Sequence, residues 1–100
     1  MENPIKELPE IYSKDLELAI KILKNYGCSK IYIFGSVAKG NYRDNSDIDI
    51  AIEGINPKDF FNAYADLSFH LKSRIDLVNI DSHKSFAALL FDIKELVRVA

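Results

Sequence analysis

A chain of 100 residues with 48% apolar and 28% charged residues has the balance of a folded globular domain and excludes a disordered or fibrous chain. With 13 basic residues against 15 acidic ones, the net charge of −2 gives no general electrostatic grip on nucleic acid, and none is expected. One cysteine, Cys28, excludes a disulfide within the chain and suits a reducing compartment.

The opening "MENPIKELPEIY" carries Pro4 and Pro9 and reads as an irregular lead-in. It has no basic stretch followed by an apolar one, so no secretory signal is expected. No apolar run is long enough to span a bilayer, and the default expectation is a cytoplasmic protein without membrane contact. Tyr12, Leu16, Ala19, Ile20 and Leu23 then form the stripe of an amphipathic helix, with Ser13 as N-cap, Asp15 in the first turn and Gly27 at the end. Cys28 is expected to be a small buried thiol at the helix–strand junction.

"KIYIF" (30–34) predicts a strand stopped by Gly35, "SVAKG" (36–40) about one helical turn, and "NYRDNS" (41–46) a loop. "DIDIAIE" (47–53) alternates strictly and predicts a second strand. Asn56-Pro57 then caps and starts a helix with Phe60, Tyr64, Leu67 and Leu71 on its core face. Beside that stripe lies a second apolar set, Phe61, Ala65 and Phe69, which either packs inside or docks a partner or a second copy. "RIDLVNI" (74–80) predicts a third strand. A last helix follows, capped by Asp81 or Ser82, with Phe86, Leu90, Ile93 and Val97 inward and Lys94 and Arg98 near its C-terminus. Strands alternating with helices over 1–100 predict a single α/β (α+β) domain, a small sheet covered by helices on at least one face.

The chemistry concentrates in "FGSVAKGNYRDNSDIDIAIE". Alternation places Asp47 and Asp49 on one face of the strand, opposite Ile48, Ile50 and Ile52. Two carboxylates so close repel each other unless a cation lies between them, and their hard oxygens suit Mg²⁺. Asp76, isolated between Ile75 and Leu77, joins them if the strands at 47–53 and 74–80 are neighbours, completing a site for two ions about 3.5–4 Å apart. At the strand-to-helix turn, Gly35 lets a phosphate approach the backbone, and free N–H groups with the Ser36 hydroxyl bind its oxygens. Lys39 and Arg43 lie beyond, placed to neutralise further phosphate charge. His70 and His83 have no zinc-like spacing and read as helix-surface or cap residues, while Tyr32 and Tyr42 flank the site with packing and loop-anchoring roles.

Gly-Ser, ten residues, Asp-x-Asp, then a further Asp in "RID" resembles the signature of the DNA polymerase β-like nucleotidyltransferase superfamily, and the short chain resembles its minimal nucleotidyltransferase (MNT, or MntA-type antitoxin) branch. The resemblance implies a small mixed sheet of about three or four strands packed with helices. By the family pattern Gly35 and Ser36 hold nucleotide phosphates, Asp47 and Asp49 bind metal, and Asp76 is the third ligand and a base for the incoming hydroxyl. Lys39 stands where many relatives carry Arg, keeping the charge without the bidentate fork. The resemblance further implies ATP as donor, two Mg²⁺ ions, and transfer of AMP to a hydroxyl of a partner, typically a HEPN-type toxin or another helical protein. Such toxins carry an Arg-(four to six residues)-His element; this sequence does not, so it reads as the transferase half of the pair. A homodimer is allowed for. The competing readings are a non-catalytic module that neutralises a toxin by steric occlusion, and a small-molecule-modifying domain, which would need an added acceptor-binding domain.

Overall fold

In the computed structural model, which describes residues 8–40, 47–92 and 96–100, the first apolar stripe becomes helix α1 (Glu10–Asn25). Tyr12, Leu16, Ala19 and Leu23 are buried, and Ile20 packs at the edge of the core. The helix starts at Pro9 and not at Ser13: the Pro9 carbonyl accepts from the N–H groups of Tyr12 and Ser13, both at 3.0 Å. Proline's fixed φ suits it to this entry and its missing N–H costs nothing there. Ser13 lies a turn inside, its hydroxyl donating back to the Glu10 carbonyl. At the other end Gly27 adopts φ +88°, its N–H reaching the Lys24 carbonyl while that of Cys28 reaches Leu23, a closure that favours glycine.

The chain continues through β1 (Lys30–Phe34), the short α2 (Gly35–Lys39), β2 (Ile48–Glu53), α3 (Phe60–His70), β3 (Ile75–Asn79), α4 (Lys84–Asp92) and β4 (Val97–Arg98). Pro57–Asp59 forms a single 3-10 turn ahead of α3, with the Asn56 side chain accepting the Lys58 N–H at 3.2 Å. Among the described residues four strands lie in the order β3-β2-β1-β4. The β2–β3 pair is parallel, as α3 between them requires, and β1 pairs antiparallel with both β2 and β4, so the sheet is mixed.

β4 departs from the sequence expectation. Val97 fits a helical stripe, but Val97 and Arg98 instead pair with Ile33 and Tyr32 of β1, and Val99 and Ala100 donate to the Ile31 carbonyl. Pairing the open edge of β1 satisfies backbone groups that a helix would have left to solvent. Ile93 and Lys94, assigned to the same helix, lie outside the described residues. Asp81 and Ser82 do not cap α4 either. They belong to a 3-10 turn, Ile80–Ser82, whose cap is Asn79, and the Asp81 carboxylate accepts the Gly54 N–H at 3.0 Å.

Alternation along the strands sorts two environments. Ile31, Ile33, Ile48, Ile50, Ile52, Ile75 and Leu77 join the core against α1 and α3. The opposite face holds a smaller cluster of Tyr32, Ala51 and Ile80, with Phe34 and Leu96 packed on it. Among the described residues no helix is long and apolar enough to cross a membrane.

One buried charge ties the helical layer to the site. Asp15, 5% exposed on the inner face of α1, accepts the N–H groups of Lys72 at 3.1 Å and Ser73 at 2.8 Å, fixing the turn that leads into β3. Asp15→Ala would leave both donors without their acceptor, and urea unfolding is expected to show a loss of about 2–4 kcal/mol, with Asp15→Asn losing less; a loss below about 0.5 kcal/mol would contradict this role.

Candidate active site

Asp49 sits in the second position of β2 and Asp76 in the second of β3, and the parallel register sets them side by side. Paired residues of adjoining strands are about 5 Å apart at Cα, and with Ile48, Ile50, Ile75 and Leu77 turned to the core both carboxylates leave the sheet on its other face. Asp49 is half-buried and Asp76 exposed. Burial, then the charge of Asp76, then that of Asp47 hold the Asp49 carboxyl above the usual carboxylate range.

Gly35 lies against Asp49. It opens α2 at φ +73°, and a Cβ placed there would run into the Asp49 carboxylate, so backbone conformation and space both call for glycine. Val37, buried from the middle of α2, anchors the turn in the core. Ser36 is half-buried at the first turn, whose N–H groups have no acceptor within the helix. Lys39 is exposed at the far end of α2. Arg43 and Tyr42 lie outside the described residues.

Asp47 differs from its neighbours. It falls one residue before β2, and its carboxylate meets the Arg74 guanidinium, Nε to Oδ1 at 3.2 Å, with 47% of the Asp47 side chain exposed and 81% of that of Arg74. Both line a groove of about 280 Å³ with Tyr64, Ser68, Leu71, Lys72, Ser73 and Ile75. The structure thus brings Asp49, Asp76 and Gly35 together directly and holds Asp47 at the strand end in an ion pair. Among the described residues no three Asp, Glu, His or Cys side chains are gathered closely enough to hold a metal ion.

Sequence reasoning missed Arg74, and it missed the aromatic wall beside the acids. Phe34 is paired in register with Asp49, and its ring meets that of Phe86 edge-on at 6.0 Å between centroids. Only the strand pairing and the approach of α4 reveal that neighbourhood. The histidines behave as expected: the Nδ1 of His70 donates to the Asp66 carbonyl at 2.9 Å and that of His83 to the Asn79 carbonyl at 3.1 Å. Cys28 is buried, which pushes its thiol up to about 11 and leaves it unreactive at neutral pH.

A carboxyl whose pKa is raised by folding lowers stability when it ionises. That cost is absent below the unfolded value of about 3.9 and complete above the folded one. Asp49→Asn is therefore expected to raise the Tm in chelator-treated buffer at pH 7, with the gain shrinking to nothing as pH falls toward 4. An Asn variant no more stable than the parent at pH 7 would show that burial and the neighbouring acids do not disfavour the Asp49 carboxylate as described.

The family model described as "Polymerase beta, Nucleotidyltransferase" matches residues 17–97. The chain is 35% identical over 83 residues to a Methanocaldococcus jannaschii protein named "Putative protein adenylyltransferase MJ1215", covering 80% of this chain and 90% of that one. Its fold matches a crystal structure of a toxin–antitoxin with AMP-PNP, with TM-score 0.69 and 26% identity over 86% of this chain and 72% of the other. It also matches a mutant of the MntA toxin–antitoxin pair at TM-score 0.67 and 24% identity, with the same coverages, a likeness of fold alone. With the acidic row, the glycine beside it and a family match over most of its length, the chain belongs to the polymerase β-type nucleotidyltransferases.

Proposed function

We propose that this nucleotidyltransferase uses Mg²⁺ and ATP to transfer AMP to a hydroxyl of a partner protein, acting in the cytoplasm as the antitoxin of a HEPN-type toxin–antitoxin pair. The observation that carries the reading is the Asp49–Asp76 row with Gly35 packed against it. The name of the M. jannaschii relative supports protein adenylylation, and the AMP-PNP bound to the similar toxin–antitoxin supports an ATP-type donor.

The donor set fits a hard divalent cation. Three carboxylates with hard oxygens lie at one sheet end, and burial first, then the charges of Asp76 and Asp47, disfavours the ionised Asp49 in the absence of a cation. Asp47, Asp49 and Asp76 would hold the metal, which when bound offsets the charge of the polyphosphate and of the oxygens that gain and lose bonds to phosphorus. The chain's own groups do the rest. The α2 turn at Gly35 and Ser36 receives phosphate oxygens on backbone N–H groups and a hydroxyl, with Lys39 and Arg43 adding positive charge beyond. Phe34 and Phe86 offer an apolar wall to a base. Asp76, the exposed acid of the row, takes the proton of the acceptor hydroxyl as its oxygen bonds to the α-phosphorus and pyrophosphate departs.

The surface of α3 supports a protein acceptor. Phe61 is 80% exposed and Phe69 84% exposed, with Ala65 exposed between them, so the second apolar set does not pack inside. Large aromatic side chains left in water two turns apart on one helix face mark a docking surface. Ser68, next to Phe69, lines the same groove as Asp47, so a protein seated on this part of α3 reaches the end of the sheet where Asp47 lies.

Incubated with ATP, Mg²⁺ and its partner, the chain should add adenylate mass to that partner (roughly one AMP per modified hydroxyl), and Asp49→Ala should abolish the addition, lowering the rate by at least about 10³-fold. Modification that persists in Asp49→Ala would sink the reading. Neutralisation of the toxin that survives Asp47→Ala, Asp49→Ala and Asp76→Ala together would instead favour steric occlusion. A second measurement addresses docking: Phe61→Asp with Phe69→Asp should weaken the complex by about 10²-fold or more while leaving ATP binding intact. Unchanged affinity would rule out α3 as the partner surface, and self-association lost in the same variant would assign it to a second copy.

A further inference from the structure

The ion pair of Arg74 with Asp47 has a consequence for metal binding, which rests on the reading of Asp47 as a metal ligand. Asp47 is the acid that the Asp-x-Asp spacing aligns with Asp49, yet its carboxylate is held by Arg74 Nε at 3.2 Å. The backbone of Arg74 is held in place. Its carbonyl accepts the Ile48 N–H at 2.9 Å, which starts the β2–β3 ladder one residue after Asp47. The two residues before it are pinned by the buried Asp15 carboxylate through the N–H groups of Lys72 and Ser73. The backbone of Arg74 is therefore fixed on both sides, and its side chain is aimed along the strand end at Asp47.

We propose that Arg74 is a positioning residue that competes with the divalent cation for Asp47. In the metal-free protein it keeps Asp47 engaged at the groove, away from the Asp49–Asp76 row; among the described residues no three acids are gathered closely enough to hold an ion. A cation at Asp47 draws on the carboxylate that the guanidinium already holds, and the two positive charges repel each other. An exposed pair of this kind is weak, so the competition lowers affinity without closing the site. Arginine suits the task because its charge stays on at any working pH and its Nε–H can meet a carboxylate side-on.

The test is a titration of the purified chain with Mn²⁺ alone, without nucleotide, followed by water-proton relaxation. Arg74→Gln should bind about two- to fivefold more tightly than the unaltered chain, and Arg74→Lys should stay within about twofold of it. Lys72→Gln removes a cation from the same groove that has no part in the pair, and should change affinity by less than about 1.5-fold. Raising the salt concentration should narrow the gap between Arg74→Gln and the parent, because screening loosens the pair first. Affinity that is unchanged or weaker in Arg74→Gln, or equally increased in Lys72→Gln, would overturn the proposal. Asp47→Asn separates the two readings. If it leaves Mn²⁺ affinity unaltered, Asp47 is no ligand and the reading beneath the proposal fails; if it weakens binding while Arg74→Gln does not strengthen it, the competition alone fails.

Discussion

The parallel register that sets Asp49 beside Asp76 is the constraint on which the rest depends. Two carboxylates about 5 Å apart at Cα on neighbouring strands oppose each other, and one of them is half-buried. The fold supplies the means of holding them there. Ile48, Ile50, Ile75 and Leu77 commit the other faces of both strands to the core, so a slip of one residue would bury the acids and expose the isoleucines. Burial of apolar area on one side thus sustains electrostatic repulsion on the other, because the core leaves the carboxylates nowhere else to go.

Gly35 shows the same economy in the backbone. The turn from β1 into α2 must pass within contact distance of Asp49, and it does so with a positive φ. A side chain at this point would displace the carboxylate. The glycine therefore serves the packing of the protein's own acid, whatever else approaches the turn. Val37, buried two residues on, keeps that turn from lifting away.

What can be read from the sequence follows from how each signal is encoded. The alternation of 47–53 and the lone acid in "RIDLV" are period-2 patterns, and the sheet reproduces them over 48–53 and 75–79 with Asp49 and Asp76 side by side, while Asp47 falls just before the strand. The helical stripe at Tyr12, Leu16, Ala19 and Leu23 is equally clear. Val97 is ambiguous because one apolar residue satisfies a helix stripe and a two-residue strand alike, and only the unpaired edge of β1 decides between them. Ser13 is a better N-cap than Pro9 by composition, but a proline carbonyl accepts the first bonds as well as any other. Asp15, Arg74 and Phe34 carry no local pattern. Their partners lie 57, 27 and 15 residues away, taking Lys72, Asp47 and Asp49 in turn, and arise from strand order and helix packing.

These long-range partners also explain how a chain of this size holds an acidic site in order. Asp15 reaches from α1 to the turn before β3, that turn presents Arg74, and Arg74 meets Asp47 at the head of β2. Each link is a carboxylate with its donor, and the first is buried while the last is exposed. The gradient matters. A buried carboxylate bonded to two backbone N–H groups is costly to disturb, whereas an exposed ion pair is weak and exchangeable. Rigidity is thereby placed in the scaffold and exchange at the surface. The arrangement lets the protein tolerate its acids, one of them facing a guanidinium and the others fixed by the strands that carry them.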